Sequence, residues 1–231
     1  IEALGGMPDD NTIILEHFSD QAGESQLLVH SVFGRPVNQP LSMLLRSAAQ
    51  RAVGREVRVY VNDDGILLHS ASGRPLPDNL LDKIDRRGLR RQVMDNLPDS
   101  ALFAMSFRYN AARALMMGVR KSGRVPLWVQ RIKGTEALHR VCAHPEHPLM
   151  LETVRDCMEQ WMDMAGLEDL FERMASGQLR TVERHVRTPS PLALALRQTL
   201  ESVELYNEQP LEKGSQVELM DLRAGVKPEK E

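Results

Sequence analysis

The sequence predicts an α+β fold in two parts: an N-terminal β-β-α-β-β unit on an antiparallel sheet, then a mainly helical half with one late strand. Three observations carry this expectation. Short apolar or alternating runs bounded by turn residues fill positions 12–70. Beyond them, apolar residues recur at helical spacing through most of the chain. A single alternating run, Gln178 to Val186, interrupts that helical half.

Thr12 to Phe18 reads as the first strand, Gln21-Ala-Gly-Glu24 as a turn, and Gln26 to Val32 as the second strand of a hairpin. Gly34-Arg35-Pro36 breaks the strand. A helix is expected to begin near Pro40, because Leu41, Leu44, Leu45, Ala48, Ala49 and Ala52 hold a helical period up to Val53, and Gly54 ends it. Glu56 to Val61 alternates as a strand, Asp63-Asp64-Gly65 is a tight turn, and Ile66 to His69 returns. After Pro75 the periodicity predicts helices at 78–95, 99–121, 126–132, 134–143, 147–163, 166–176 and 190–203. Asp99-Ser100 supplies a cap for the second of these, Gly123 follows its end, and Thr188-Pro-Ser-Pro191 starts the last. The organisation expected is a sheet subdomain at 1–75, a helical subdomain at 76–213 and a loose polar tail at 214–231, together one composite domain of a longer protein. The opening Ile1-Glu2-Ala3-Leu4 also reads as the interior of a longer chain.

Composition narrows the function classes. The chain has 231 residues, 42% of them hydrophobic and 26% charged, which is ordinary for a globular protein. No apolar run approaches a membrane span. Two cysteines, Cys142 and Cys157, make no disulfide framework and point to a reducing cytoplasm. The net charge of −3 hides an asymmetry: residues 83–133 carry 12 basic and 3 acidic side chains. Such a segment is the footprint expected of phosphate contact, with a solvated helix surface as the plainer alternative.

Catalytic motifs are missing. There is no phosphate-binding loop of the G-x-x-x-x-G-K-[ST] kind, no G-x-S-x-G and no H-E-x-x-H, so the chain carries no ATPase site and no cofactor or metal is expected in it. His139, Cys142, His144 and His147, with Cys157 further on, have metal-ligand chemistry, but H-x-x-C-x-H-x-x-H fits no common zinc spacing and reads more simply as a polar loop beside a buried thiol. Asp63 and Asp64 sit where a turn favours Asp, and Glu201, Glu204 and Glu208 lie along one side of a late helix.

The 99–121 segment is the most informative. Phe103, Phe107, Ala111, Ala114 and Gly118 form one helical face. A second carries Ser106, Tyr109, Asn110, Arg113, Arg120 and Lys121, with Arg108 between the two. Arg binds phosphate, Tyr stacks on a base and Asn bonds an edge, so this side suits a single nucleic-acid strand. The competing reading makes Tyr109 the rim of the core and pairs Arg113 with an acidic residue.

Leu15-Glu-His-Phe-Ser-Asp20 is similar to E-R-F-x-D, and Val29 to Arg35 followed by Val37-Asn38 is similar to V-H-x-P-F-G-x-R-[VI]-[NH]. Phe107-Arg-Tyr-Asn-Ala-Ala-Arg-Ala-Leu115 looks like W-R-W-N-A-T-R-A-L. His147-Pro-Leu, Asp156-Cys157, Met162-Asp163, Gly166-Leu167 and Pro189-Ser-Pro-Leu192 follow in order. Over about 10–212 these four ordered stretches together resemble the large helicase-related (Lhr) family of superfamily 2 helicases, in the DEAD/H-associated region. The resemblance implies a parent with RecA-like motor domains using ATP and Mg, a winged helix, and then this domain closing over the tracking strand during 3′-to-5′ unwinding of DNA or RNA:DNA hybrids. By this likeness Arg35, Asn38 and Leu41 would line one wall of a groove, and Arg108, Tyr109, Asn110 and Arg113 the other. Leu41 stands where relatives carry a stacking Trp, which weakens that contact or shifts it, for instance to Trp128. The rival expectation is a docking module between helicase domains or subunits with no nucleic-acid contact, its surface supplied by the Leu/Met-rich helices of 147–176.

Overall fold

The computed structural model describes residues 7–20, 23–70, 74–117 and 126–204. The turn at Gln21 and Ala22, the positions of Gly118, Arg120, Lys121 and Gly123, and the tail from 214 lie outside the described residues. Strand β1 (Thr12–Ser19) pairs antiparallel with β2 (Ser25–His30), Ile14 opposite His30. Helix α1 (Arg35–Val53) follows, then β3 (Arg58–Val61) and β4 (Gly65–Ser70), so the expected β-β-α-β-β unit is present. The late strand β5 (Arg180–His185) adds to the free edge of β1 in parallel, giving the order β3-β4-β2-β1-β5. A parallel neighbour needs a crossover, and the helical half supplies it.

Both sheet faces are covered, so β1 and β2 are buried along nearly their whole length, polar residues included. Ile13, Leu15, Leu27, Val29, Ile66 and Leu68 face the large core built with α1 and the later helices. Phe18, Leu28 and Leu67 face the opposite way, and Ala193 and Leu196 of α7 (Pro191–Glu204) close over them.

The helical boundaries depart from the periodicity in four places, each for a local reason. First, α1 starts at Arg35, not at Pro40. Gly34 takes φ 82°, and the Asp63 carboxylate accepts the Arg35 N–H at 2.9 Å, capping the helix from the β3–β4 turn. Second, the 78–95 segment divides into a 3-10 turn at Leu80–Lys83 and α2 (Leu89–Asn96), separated at Gly88, φ 67°. Third, α3 (Ala101–Arg113) stops well before 121, and the chain turns through Leu115 at φ 60°. Fourth, the two helices expected at 126–132 and 134–143 are one, α4 (Leu127–Val141), with Gly134 inside it. The 147–163 segment is α5 (Pro148–Asp156) continued by a π-helical turn at 157–161, and α6 (Met164–Ala175) follows. As expected, Ser100 caps α3, its Oγ accepting the Phe103 N–H at 3.1 Å, and Gly54 ends α1. Among the described residues no helix is long and apolar enough to cross a membrane.

Candidate nucleic-acid interface

The 3.6-residue period of α3 sorts its side chains. Phe103, Phe107 and Ala111 turn inward and are fully buried, the two rings 6.5 Å apart. Tyr109 turns outward at 64% exposure, and the Arg113 guanidinium lies 5.6 Å from its ring centroid. One turn on the same side thus offers a ring and a cation already stacked. Arg108 is half-buried where α3 meets α4. A Cβ on Gly134 would stand 2.8 Å from Arg108 Cγ, so only glycine lets the arginine stem lie across α4. Burial, and then the like charge of Arg131, hold the Arg108 guanidinium below its ordinary pKa. Residues 100–135 contain no Asp or Glu, so this whole stretch of chain is cationic. Trp128, at the start of α4, is 59% exposed.

The remaining predicted residues fall elsewhere. Arg35 is exposed at the first turn of α1. Asn38, three residues on, is buried: it accepts from Ser31 Oγ at 2.7 Å and donates to the carbonyls of Ser31, Asn62 and Asp63. That side chain fastens the β3–β4 turn to α1. Leu41 is 0% exposed, inside the core. It shares the inward face of α1 with Leu44, Leu45 and Ala48, so it cannot meet a base unless the core opens. Asn110 is buried too, donating to Asp156 Oδ2 at 2.9 Å and Thr153 Oγ1 at 3.4 Å, which ties α3 to α5. The exposed members of the predicted set are therefore Arg35, Tyr109 and Arg113, with Arg108 half-buried beside them and its Nη1 covered.

Several motif residues instead hold the fold. The His30 ring donates to Glu16 Oε2 at 2.9 Å, and Ser190 donates to both carboxylate oxygens, by its N–H at 2.6 Å and its hydroxyl at 2.9 Å. All three lie buried between the sheet and α7. Burial alone would push the Glu16 carboxyl up, but the hydrogen bonds from His30 and Ser190 outweigh it and hold it below the usual carboxylate value. Sequence reading missed this clamp, because a Glu and a His in half-polar strands look like solvent-facing positions until Ser190 arrives from the far end of the chain.

The predicted histidine–cysteine loop brings no three ligand atoms together among the described residues. Cys142 Sγ donates to the His139 carbonyl, and His147 Nδ1 accepts the Leu149 N–H as the cap of α5. Two other groups place donor atoms within 4.8 Å of one another: His17, Asp78 and His185, and Asp20, Glu24 and His69.

The DEAD/H associated family model matches residues 7–193. The Lhr helicase/uracil glycosylase of Escherichia coli is 34% identical over 197 residues, covering 84% of this chain and 13% of that protein. The ATP-dependent helicase Lhr-Core of Methanothermobacter thermautotrophicus is 28% identical over 193 residues, covering 83% of this chain and 22% of that one. Among solved structures, the Mycobacterium smegmatis helicase Lhr bound to ssDNA and AMP-PNP superposes with a TM-score of 0.74 at 33% identity, over 84% of this chain and 25% of that chain. The chain thus spans between 13% and 25% of the lengths of these relatives.

Proposed function

The chain belongs to the DEAD/H associated family found in Lhr helicases, and on that premise we propose that it is the part of an ATP-dependent 3′-to-5′ helicase that grips the tracking single strand. In this reading ATP and Mg act in the parent's RecA-like motor domains, which sit with a winged helix ahead of this domain. Arg108 and Arg113, with Arg35 from α1, neutralise phosphates, and Tyr109 stacks on a base without reading its sequence. The observation that carries this is the exposed Tyr109–Arg113 stack in a stretch of chain without a carboxylate. The ssDNA-bound Mycobacterium smegmatis relative supports it at the level of the whole assembly. Non-specific strand binding needs no more than a cationic track and an aromatic face.

The test is the salt dependence of single-strand binding by the parent helicase. Arg108→Ala and Arg113→Ala should each weaken binding and reduce the slope of log K against log salt by ~0.7 for each phosphate no longer neutralised. Unchanged affinity and slope in both variants would overturn the assignment. A variant domain that still docks on the motor while ignoring oligonucleotides would then favour a purely structural module.

A further inference from the structure

We propose that His17, Asp78 and His185 form a binding site for one divalent transition-metal ion of the zinc class. β1 and β5 run parallel with His17 and His185 as register partners, so the two imidazoles stand side by side on one face. Their rings stack 4.5 Å apart at 15°. Asp78 reaches in from the segment before the 3-10 turn, its Oδ1 3.1 Å from His185 Nε2. Glu183, two residues before His185 on the same face, lies 2.6 Å from His17 Nε2 and also accepts the Asn79 N–H at 3.1 and 3.0 Å, which fixes the loop that presents Asp78.

The donor atoms are already gathered in one place. One donor atom from each of His17, Asp78 and His185 lies within 4.8 Å of the others. Zinc bonds to nitrogen and oxygen near 2 Å place tetrahedral ligand atoms about 3.3 Å apart, so His185 must swing out of its stack on His17 and Asp78 must turn inward to meet an ion, which their exposure allows. Two imidazoles and a carboxylate favour zinc, cobalt or nickel over calcium and magnesium, which prefer oxygen throughout. Glu183 stays on His17 Nε2 as its carboxylate partner, and water completes the shell. The second group, Asp20, Glu24 and His69, offers a single imidazole and is the poorer match. An ion at His17 and His185 would pin the edge strand β5 to β1 and to the loop at 78–79, joining distant parts of the chain, since His17 and Glu183 alone are 166 positions apart. Its expected role is structural, because binding to the folded form alone stabilises that form.

The experiment is titration of the 231-residue chain with Co²⁺ and with Zn²⁺, followed by cobalt visible absorption and by melting temperature. One ion should bind, with a nitrogen/oxygen ligand-field spectrum and a rise in melting temperature. His185 is 63% exposed, so His185→Ala should fold. Loss of an outer-shell partner already costs a metal site ten- to a hundredfold, so this variant should lose at least about tenfold in affinity, together with the thermal shift. Asp78→Asn should also weaken binding, while His69→Ala and His144→Ala should leave it intact. Retained affinity in His185→Ala, loss in His69→Ala or His144→Ala, a sulfur-to-cobalt charge-transfer band, or no binding at all would each overturn the proposal.

Discussion

The N–H of Asp163 donates to the carbonyl of Pro36 at 2.9 Å. That carbonyl is free because its helical partner would be the N–H of residue 40, and Pro40 has none. A proline inside α1 thereby becomes the socket for the start of α6. Asp163 also caps α6, its Oδ1 accepting the Gly166 N–H at 2.8 Å, and a Cβ on Gly166 would meet Val37 Cγ2 at 2.9 Å. Asp163→Ala should cost ~1 kcal/mol through the lost cap. Gly166→Ala should cost about 1–3 kcal/mol by forcing α6 off α1. The shift of the urea unfolding midpoint measures both.

Asn110 separates the two readings of α3. Its buried amide serves Asp156 and Thr153. Asn110→Ala should destabilise the domain by roughly 1–3 kcal/mol, since Asp156 loses a buried donor. It should leave the salt slope of strand binding unchanged once the protein is folded. A nucleic-acid contact at Asn110 would show the reverse, with lower affinity at constant stability.

Tyr109 and Leu41 should behave oppositely. Tyr109→Ala removes an exposed ring and should weaken single-strand binding by about 1–3 kcal/mol, with little change in stability. Leu41→Ala empties a fully buried site and should cost about 2–5 kcal/mol of stability. Parallel strand-binding titrations and denaturant melts decide between them.

Glu16 makes the domain acid-sensitive. Its carboxyl is held below the ordinary value in the folded state, so it is stabilising above the unfolded value of 4.5 and that contribution is lost as pH falls through the folded value. Glu16→Gln should flatten the stability–pH curve below 4.5. Glu16→Ala leaves His30 and Ser190 without their buried partner and should cost about 3–5 kcal/mol at neutral pH. Stability measured across the acid range gives both results.

Burial pushes the Cys157 thiol up to about 11, with Asp156 adding to the rise against an opposing effect of Ser106. Thiolate is the reactive form. Iodoacetamide at mildly alkaline pH should therefore label the exposed Cys142 in the native chain, and label both cysteines only in denaturant. Mass spectrometry of the alkylated protein counts them.

Much of this was written in the sequence alone. Strand runs, the alternation of 178–186, the Ser100 cap and the Gly54 stop are local signals, set by residues within a turn of one another, and they determined the order of the strands and of α1, though not how the helical segments after Pro75 divide. Periodicity also put Tyr109 and Arg113 on one side of α3. It could not say what covers each face. Asn38, Asn110 and Glu16 look like surface chemistry until their partners arrive from distant segments: Asp63 across the hairpin, Asp156 on α5, Ser190 on α7, the last separated from Glu16 by 174 positions. Leu41 had the same ambiguity, since an apolar residue near a helix start suits a wedge or a core, and only the elements packed over α1 decide that its apolar face is closed. The side-by-side His17 and His185 depend on β5 joining β1 in parallel. Such pairings come from long-range closure, in which the cost of burying a polar group is met only by the group the folded chain brings to it.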